Sequence, residues 1–121
     1  MSDAISELLR AVRDFSAARQ WQPFHSPKNL SMALNVEAAE LLEHFQWLTA
    51  EESDNLPAET LRKVQNEMSD VLLYLLLLAD RLDVNLVAAA KQKLMINADK
   101  YPVEKSRGNA RKYDQLDEPR T

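Results

Sequence analysis

Two glutamates in this chain sit where leucines are expected, and that places a strong condition on the fold. At about 100° per residue, Glu37 falls between Leu30, Leu34, Leu41 and Leu48, inside the apolar stripe of a helix. Glu67 holds the matching place among Val64, Val71, Tyr74 and Leu78. One turn beyond each, at the flank of the stripe, stands a second acid, Glu40 and Asp70 respectively. Neighbouring helices that bury these stripes bring four carboxylates together. Such a cluster repels itself and loses several kcal/mol per ion to desolvation unless something positive compensates.

The rest of the chain supports an all-α fold. One glycine and five prolines in 121 residues leave little turn material for a sheet. A first helix spans about Ser2 to Arg19, with Ile5, Leu8, Leu9, Val12 and Phe15 at helical spacing and Ser2 or Asp3 as N-cap. Gln20 to Asn29 is an aromatic-rich loop containing Pro23 and Pro27. Ser26-Pro27 then caps and opens a second helix that runs to Leu48. A polar stretch, Thr49 to Pro57, leads to a third helix, about Ala58 to Leu82. A turn at Asp83 to Asn85 leads to a fourth, about Leu86 to Tyr101, stopped by Pro102. Residues 1–104 form one domain and 105–121 a polar, mobile tail.

Composition narrows the function. The net charge is −4, and no basic run forms a phosphate-tracking stripe, so a polymeric nucleic-acid partner is not expected. With no cysteine there are neither disulfides nor thiolate ligands, and the N-terminus lacks the layout of a signal peptide, so the expected location is cytoplasmic. The longest apolar run, Val71 to Ala79, is less than half of the roughly 20 residues a bilayer span requires, so no membrane is involved.

For the acidic cluster, an all-oxygen donor set suits Mg²⁺, Mn²⁺ or Ca²⁺ better than zinc or copper, and Mg²⁺ commonly shares its shell with substrate phosphates. A di-iron bundle would place histidine three residues after a glutamate on two helices, whereas His44 stands four beyond Glu40. The alternative is a non-enzymatic oligomerisation or partner-binding module whose inward acids pair with Lys93, Arg62 or Lys63.

Glu37-Ala38-Ala39-Glu40 followed by Glu67-Met68-Ser69-Asp70 resembles the signature of the all-α NTP pyrophosphatase superfamily, in its MazG-like branch. Further segments resemble the dCTP pyrophosphatases within that branch: the run Arg19 to Leu30, Phe45-Gln46-Trp47, Ser69 to Leu75, and Lys93 to Pro102. The resemblance spans about Phe15 to Pro102. It implies a four-helix MazG-like bundle that hydrolyses the α–β phosphate bond of nucleoside triphosphates, dCTP or modified pyrimidine nucleotides, to a monophosphate and pyrophosphate. It implies Mg²⁺, with Mn²⁺ as a substitute, on Glu37, Glu40, Glu67 and Asp70. It further implies Trp21 and Trp47 lining a base pocket, Tyr74 near the substrate, and Lys93, Asn97 and Tyr101 in contact with it. Vertebrate members carry histidine where Val12 stands here, which leaves the base preference open.

The residues themselves agree in part. Lys93 and Asn97 share a helical line with Leu86 and Ala90, which turns a cation and an amide inward. His25, in the loop beside two prolines, is either a substrate contact or a structural hydrogen-bonder. Glu37 or Glu40 is the candidate base for the attacking water. Finally, Val71 to Leu78 is apolar all round, so with Glu67 and Val71 turned to the site, Leu72, Leu73 and Leu76 are expected to project outward into a homo-oligomer interface, a dimer of dimers by resemblance.

Overall fold

The computed structural model describes residues 3–119, and all the regular structure in that range is helical. Helix α1 is Ala4–Ala18, α2 Pro27–Glu43, α3 Ala50–Ser53, α4 Ala58–Arg81, α5 Leu86–Lys100 and α6 Val103–Ser106. The chain forms two compact units, one ending at Val84 and the other beginning at Asn85. No helix of the described residues is long and apolar enough to cross a membrane.

Local chemistry sets most helix ends. Asp3 caps α1 by accepting from the Ser6 amide at 2.8 Å, while Ser2, the other cap candidate, lies outside the described residues. Ser26 Oγ accepts from the Asn29 amide at 3.1 Å ahead of Pro27, and Asn85 accepts from Ala88 at 3.0 Å to start α5. Helix α1 ends in a Schellman motif. Gln20 takes a left-handed conformation (φ 54°), and the Gln20 and Trp21 amides donate back to Ala17 and Ser16. Asp83 (φ 55°) repeats this after α4, with Val84 donating to Ala79 at 2.8 Å.

In the first unit α4 is the spine, with α2 packed along it and α1 against it. Its core is small: Val12, Leu30, Val64, Leu76 and Ala79 are the buried apolar side chains of the described residues. In the second unit the chain after α5 folds on itself. Lys105 pairs with Asp117 at 2.7 Å, the Lys100 ammonium sits 4.8 Å from the Tyr113 ring centre, and Arg111 donates to the Pro119 carbonyl.

Three expectations are corrected. The second long helix stops at Glu43 instead of Leu48, because the chain tightens into turns in which the His44 and Phe45 amides donate three residues back. The polar stretch after it holds α3, nucleated by a capping box between Thr49 and Glu52. On α4, Leu76 does not project outward: it is 2% exposed, buried within the single chain. Leu73 also turns inward, to a cavity described below, whereas Leu72 is exposed as expected.

Candidate active site

The facing stripes of α2 and α4 do bring acids together. Glu37, Glu67 and Asp70 each offer a carboxylate oxygen, and these oxygens lie within 4.8 Å of one another. Glu40 stands outside that trio but against Glu37, whose proton it helps to hold. Burial is the main reason the Glu37 carboxyl is pushed up to about 7. Glu67 and Glu40, as acceptors for its proton, and the negative charges of Glu40 and Asp70 add to the effect. Glu37 Oε2 is buried without a hydrogen-bond partner, because the groups around it are themselves acceptors. A buried, donor-starved oxygen among carboxylates is the environment a hard divalent cation satisfies, so the donor set fits such an ion.

Within the first unit the competing arrangement, acids neutralised by lysine or arginine, does not form: neither Arg62 nor Lys63 pairs with Glu37, Glu40, Glu67 or Asp70. Arg13 instead pairs with Asp80, its Nε 3.2 Å from the carboxylate. The cationic candidate near the cluster is His44, with Nε2 3.7 Å from Glu67 Oε1. The sequence carried a signal for it, since His44 lies seven residues, two helical turns, beyond Glu37 on the same side.

From this cluster a cavity of about 470 Å³ extends between α1 and α4. Glu37 and Asp70 are at its acidic wall. Leu73, Tyr74 and Leu77 continue along α4, while Leu8, Ala11, Val12, Phe15 and Ser16 face them from α1. Trp21 and His25 complete the lining. Tyr74 adjoins the acids: burial, then the charges of Glu37 and Asp70, raise its hydroxyl above the usual tyrosine range. The aromatic end is fixed by the α1 Schellman turn. Trp21 packs edge-on to Phe15, with centroids 5.7 Å apart, and to His25 at 6.2 Å, while the Arg19 guanidinium lies over the Phe15 ring, 3.5 Å from its centre.

Other expected site residues are not gathered by these contacts. Trp47 is 87% exposed in the turn beyond α2 and does not line the cavity, so within one chain it does not join Trp21 around a shared ligand. Lys93, Asn97 and Tyr101 lie one turn apart along α5 and its C-cap, in the second unit, where the Tyr101 amide donates to the Asn97 carbonyl at 2.8 Å. Sequence reasoning tied Val12 alone of the α1 wall to the site, through base preference, and had not assigned Leu8, Ala11, Phe15 or Ser16 to it. Their signal was present in the same stripe that marks α1 as amphipathic, with Ser16 one turn beyond Val12.

An apolar, aromatic-ended cavity with Glu37 and Asp70 of the carboxylate trio on its wall suits a ligand with one apolar end and one end that shares a cation. The comparisons agree. The MazG-like family profile matches residues 32–116. The dCTP pyrophosphatases 1 of mouse and human are each 41% identical, over 114 and 115 residues respectively, covering 93% of this chain and 67% of theirs. A pyrophosphatase crystal structure from Archaeoglobus fulgidus superimposes with a TM-score of 0.79 at 39% identity, covering 84% of this chain and 95% of that one. The chain belongs to the MazG-like family and is a nucleotide pyrophosphohydrolase.

Proposed function

We propose that this enzyme hydrolyses the α–β phosphoanhydride bond of a pyrimidine deoxynucleoside triphosphate, dCTP or a modified relative, to the monophosphate and pyrophosphate, with Mg²⁺ as cofactor. The observation that carries the reading is the carboxylate trio at one wall of an apolar cavity. Glu37, Glu67 and Asp70, with Glu40 beside them, would hold the cation, and Mn²⁺ would substitute because it accepts the same oxygen donors. A bound divalent ion supplies charge to offset the pyrophosphate leaving group and lowers the pKa of coordinated water. The base sits between α1 and α4 against Trp21, and Tyr74 lies between base and phosphates. Glu37 or Glu40 is the catalytic base. Glu40, outside the trio, is the freer of the two to orient the attacking water and take its proton. His25 contacts the substrate from the aromatic end.

The active form is a homo-oligomer, a dimer of dimers. A core of five buried apolar side chains among the described residues is small, and Leu42, Met68, Leu72 and Trp47 stay exposed on the first unit. Partner subunits would cover them. Residues 1–104 constitute the catalytic domain and 105–121 a tail. The enzyme works in the cytoplasm on the free nucleotide pool.

A screen of natural and modified nucleoside triphosphates for pyrophosphate release, with and without millimolar Mg²⁺, tests this. Pyrimidine deoxynucleotides should react fastest, and only with metal. Metal-independent turnover, or a purine preference, would overturn it.

A further inference from the structure

Resting on the reading of the cavity as a nucleotide site, we propose that Ser16 reads the hydrogen-bonding edge of the base and is a specificity-determining residue of this enzyme. Ser16 is the buried polar residue of the described chain, 3% exposed, in a helix wall otherwise made of Leu8, Ala11, Val12 and Phe15. No hydrogen bond among the described residues engages its hydroxyl, which is set in that wall and can meet a ligand group in the cavity.

Its place along the cavity suits a base edge. Ser16, His25 and Leu77 also line a second, smaller cavity of about 60 Å³, which neither Glu37 nor Asp70 reaches. They therefore mark the end of the main cavity remote from the acids. Leu77 is seven residues beyond Asp70 on α4, roughly 10 Å at the helical rise. A nucleotide whose phosphates meet the carboxylates would present its base at that end.

The position is also held rigidly. The Ser16 carbonyl accepts from the amides of both Arg19 and Trp21, at 3.2 and 3.0 Å. The turn that presents the Trp21 ring is thus anchored on the residue that carries the hydroxyl. Ring and hydroxyl reach the ligand as one preorganised unit, the ring taking the base face and the hydroxyl its edge. Serine both donates and accepts, so it completes a pair with whichever group the preferred base offers there.

Kinetics of Ser16→Ala and of the near-isosteric Ser16→Cys test this with the triphosphates of deoxycytidine, deoxyuridine and thymidine. Both variants should raise KM for the preferred base by about 3-fold to 10-fold, the usual effect of losing one neutral hydrogen bond, with a smaller change in kcat. Selectivity among the three bases should shrink by the same factor. If Ser16 only fills space, the volume-matched Ser16→Cys will keep the wild-type ranking and KM ratios, and the proposal falls. It falls equally if KM rises by one factor for all three bases. Should Ser16→Ala fail to fold, Ser16→Cys decides alone. Wild-type enzyme that hydrolyses none of the triphosphates would instead remove the underlying nucleotide reading.

Discussion

Glu67→Gln separates the electrostatics of the acidic cluster from its chemistry, because it removes a charge while keeping the shape. At 4.8 Å, the outer limit for oxygens of the trio, two negative charges repel by about 0.9 kcal/mol in water and about 3.5 kcal/mol at an effective dielectric constant near 20. The half-buried Glu67 lies between these limits. At pH 8 Glu37, with its value at about 7, has lost its proton and repels it alongside the negative charge of Asp70. His44, with Nε2 3.7 Å from Glu67, offsets part of this, by at most about 1 kcal/mol, only when its imidazole is protonated. Without metal the variant should therefore be more stable than wild type by about 1 to 3 kcal/mol, a rise of about 4 °C or more in Tm for a small domain. At pH 5.5 Glu37 holds its proton and only Asp70 remains as a repelling neighbour, so the gain should be smaller. The wild-type protein carries the corresponding pH signature. The folded-state value for Glu37, about 7, lies above its ordinary 4.5, so the native state binds a proton that the unfolded chain has released. Metal-free stability should fall as pH rises from about 4.5 to about 7 and level off above. Melts in EDTA at the two pH values, at one protein concentration, measure both effects. Added Mg²⁺ should stabilise wild type and not the variant, whose turnover should drop by on the order of 10² to 10³. A variant that melts below wild type in EDTA at pH 8, or keeps more than about a tenth of the activity, would refute the reasoning.

Trp21→Ala should raise KM for a pyrimidine triphosphate by about 5-fold to 150-fold, the range expected for losing one base-stacking surface, and an unchanged KM would remove Trp21 from the base site. Light scattering coupled to size exclusion should report at least twice the 13.8 kDa chain mass at micromolar concentration. Leu72→Glu, on the exposed side of α4, should lower that mass, while Leu76→Ala should cost about 2 to 5 kcal/mol of stability as a cavity mutation. A stable, active monomer would refute the interface.

What the sequence determined by itself was whatever local geometry and periodicity govern. Ser26-Pro27 opens α2 and Pro102 follows the end of α5, because caps and the missing proline amide act within one turn of chain. The meeting of Glu37, Glu67 and Asp70 was legible for a related reason: a residue inside an apolar stripe goes wherever that stripe is buried. Periodicity gives an angle around one helix but not the identity of its neighbours. On the Val71 to Leu78 stretch of α4, which is apolar all round, it could not tell Leu76, buried within the chain, from Leu72, which is exposed. Nor could it place Trp47, because α2 ends at Glu43 through turn hydrogen bonds with no proline or glycine to announce them. The α1 wall of the cavity, Ser16 included and Val12 apart, became part of the site only through tertiary packing. Helix α1 was recognisable as amphipathic, but what its apolar face meets depends on how it is laid against α4, a choice made by packing contacts between residues far apart in the chain.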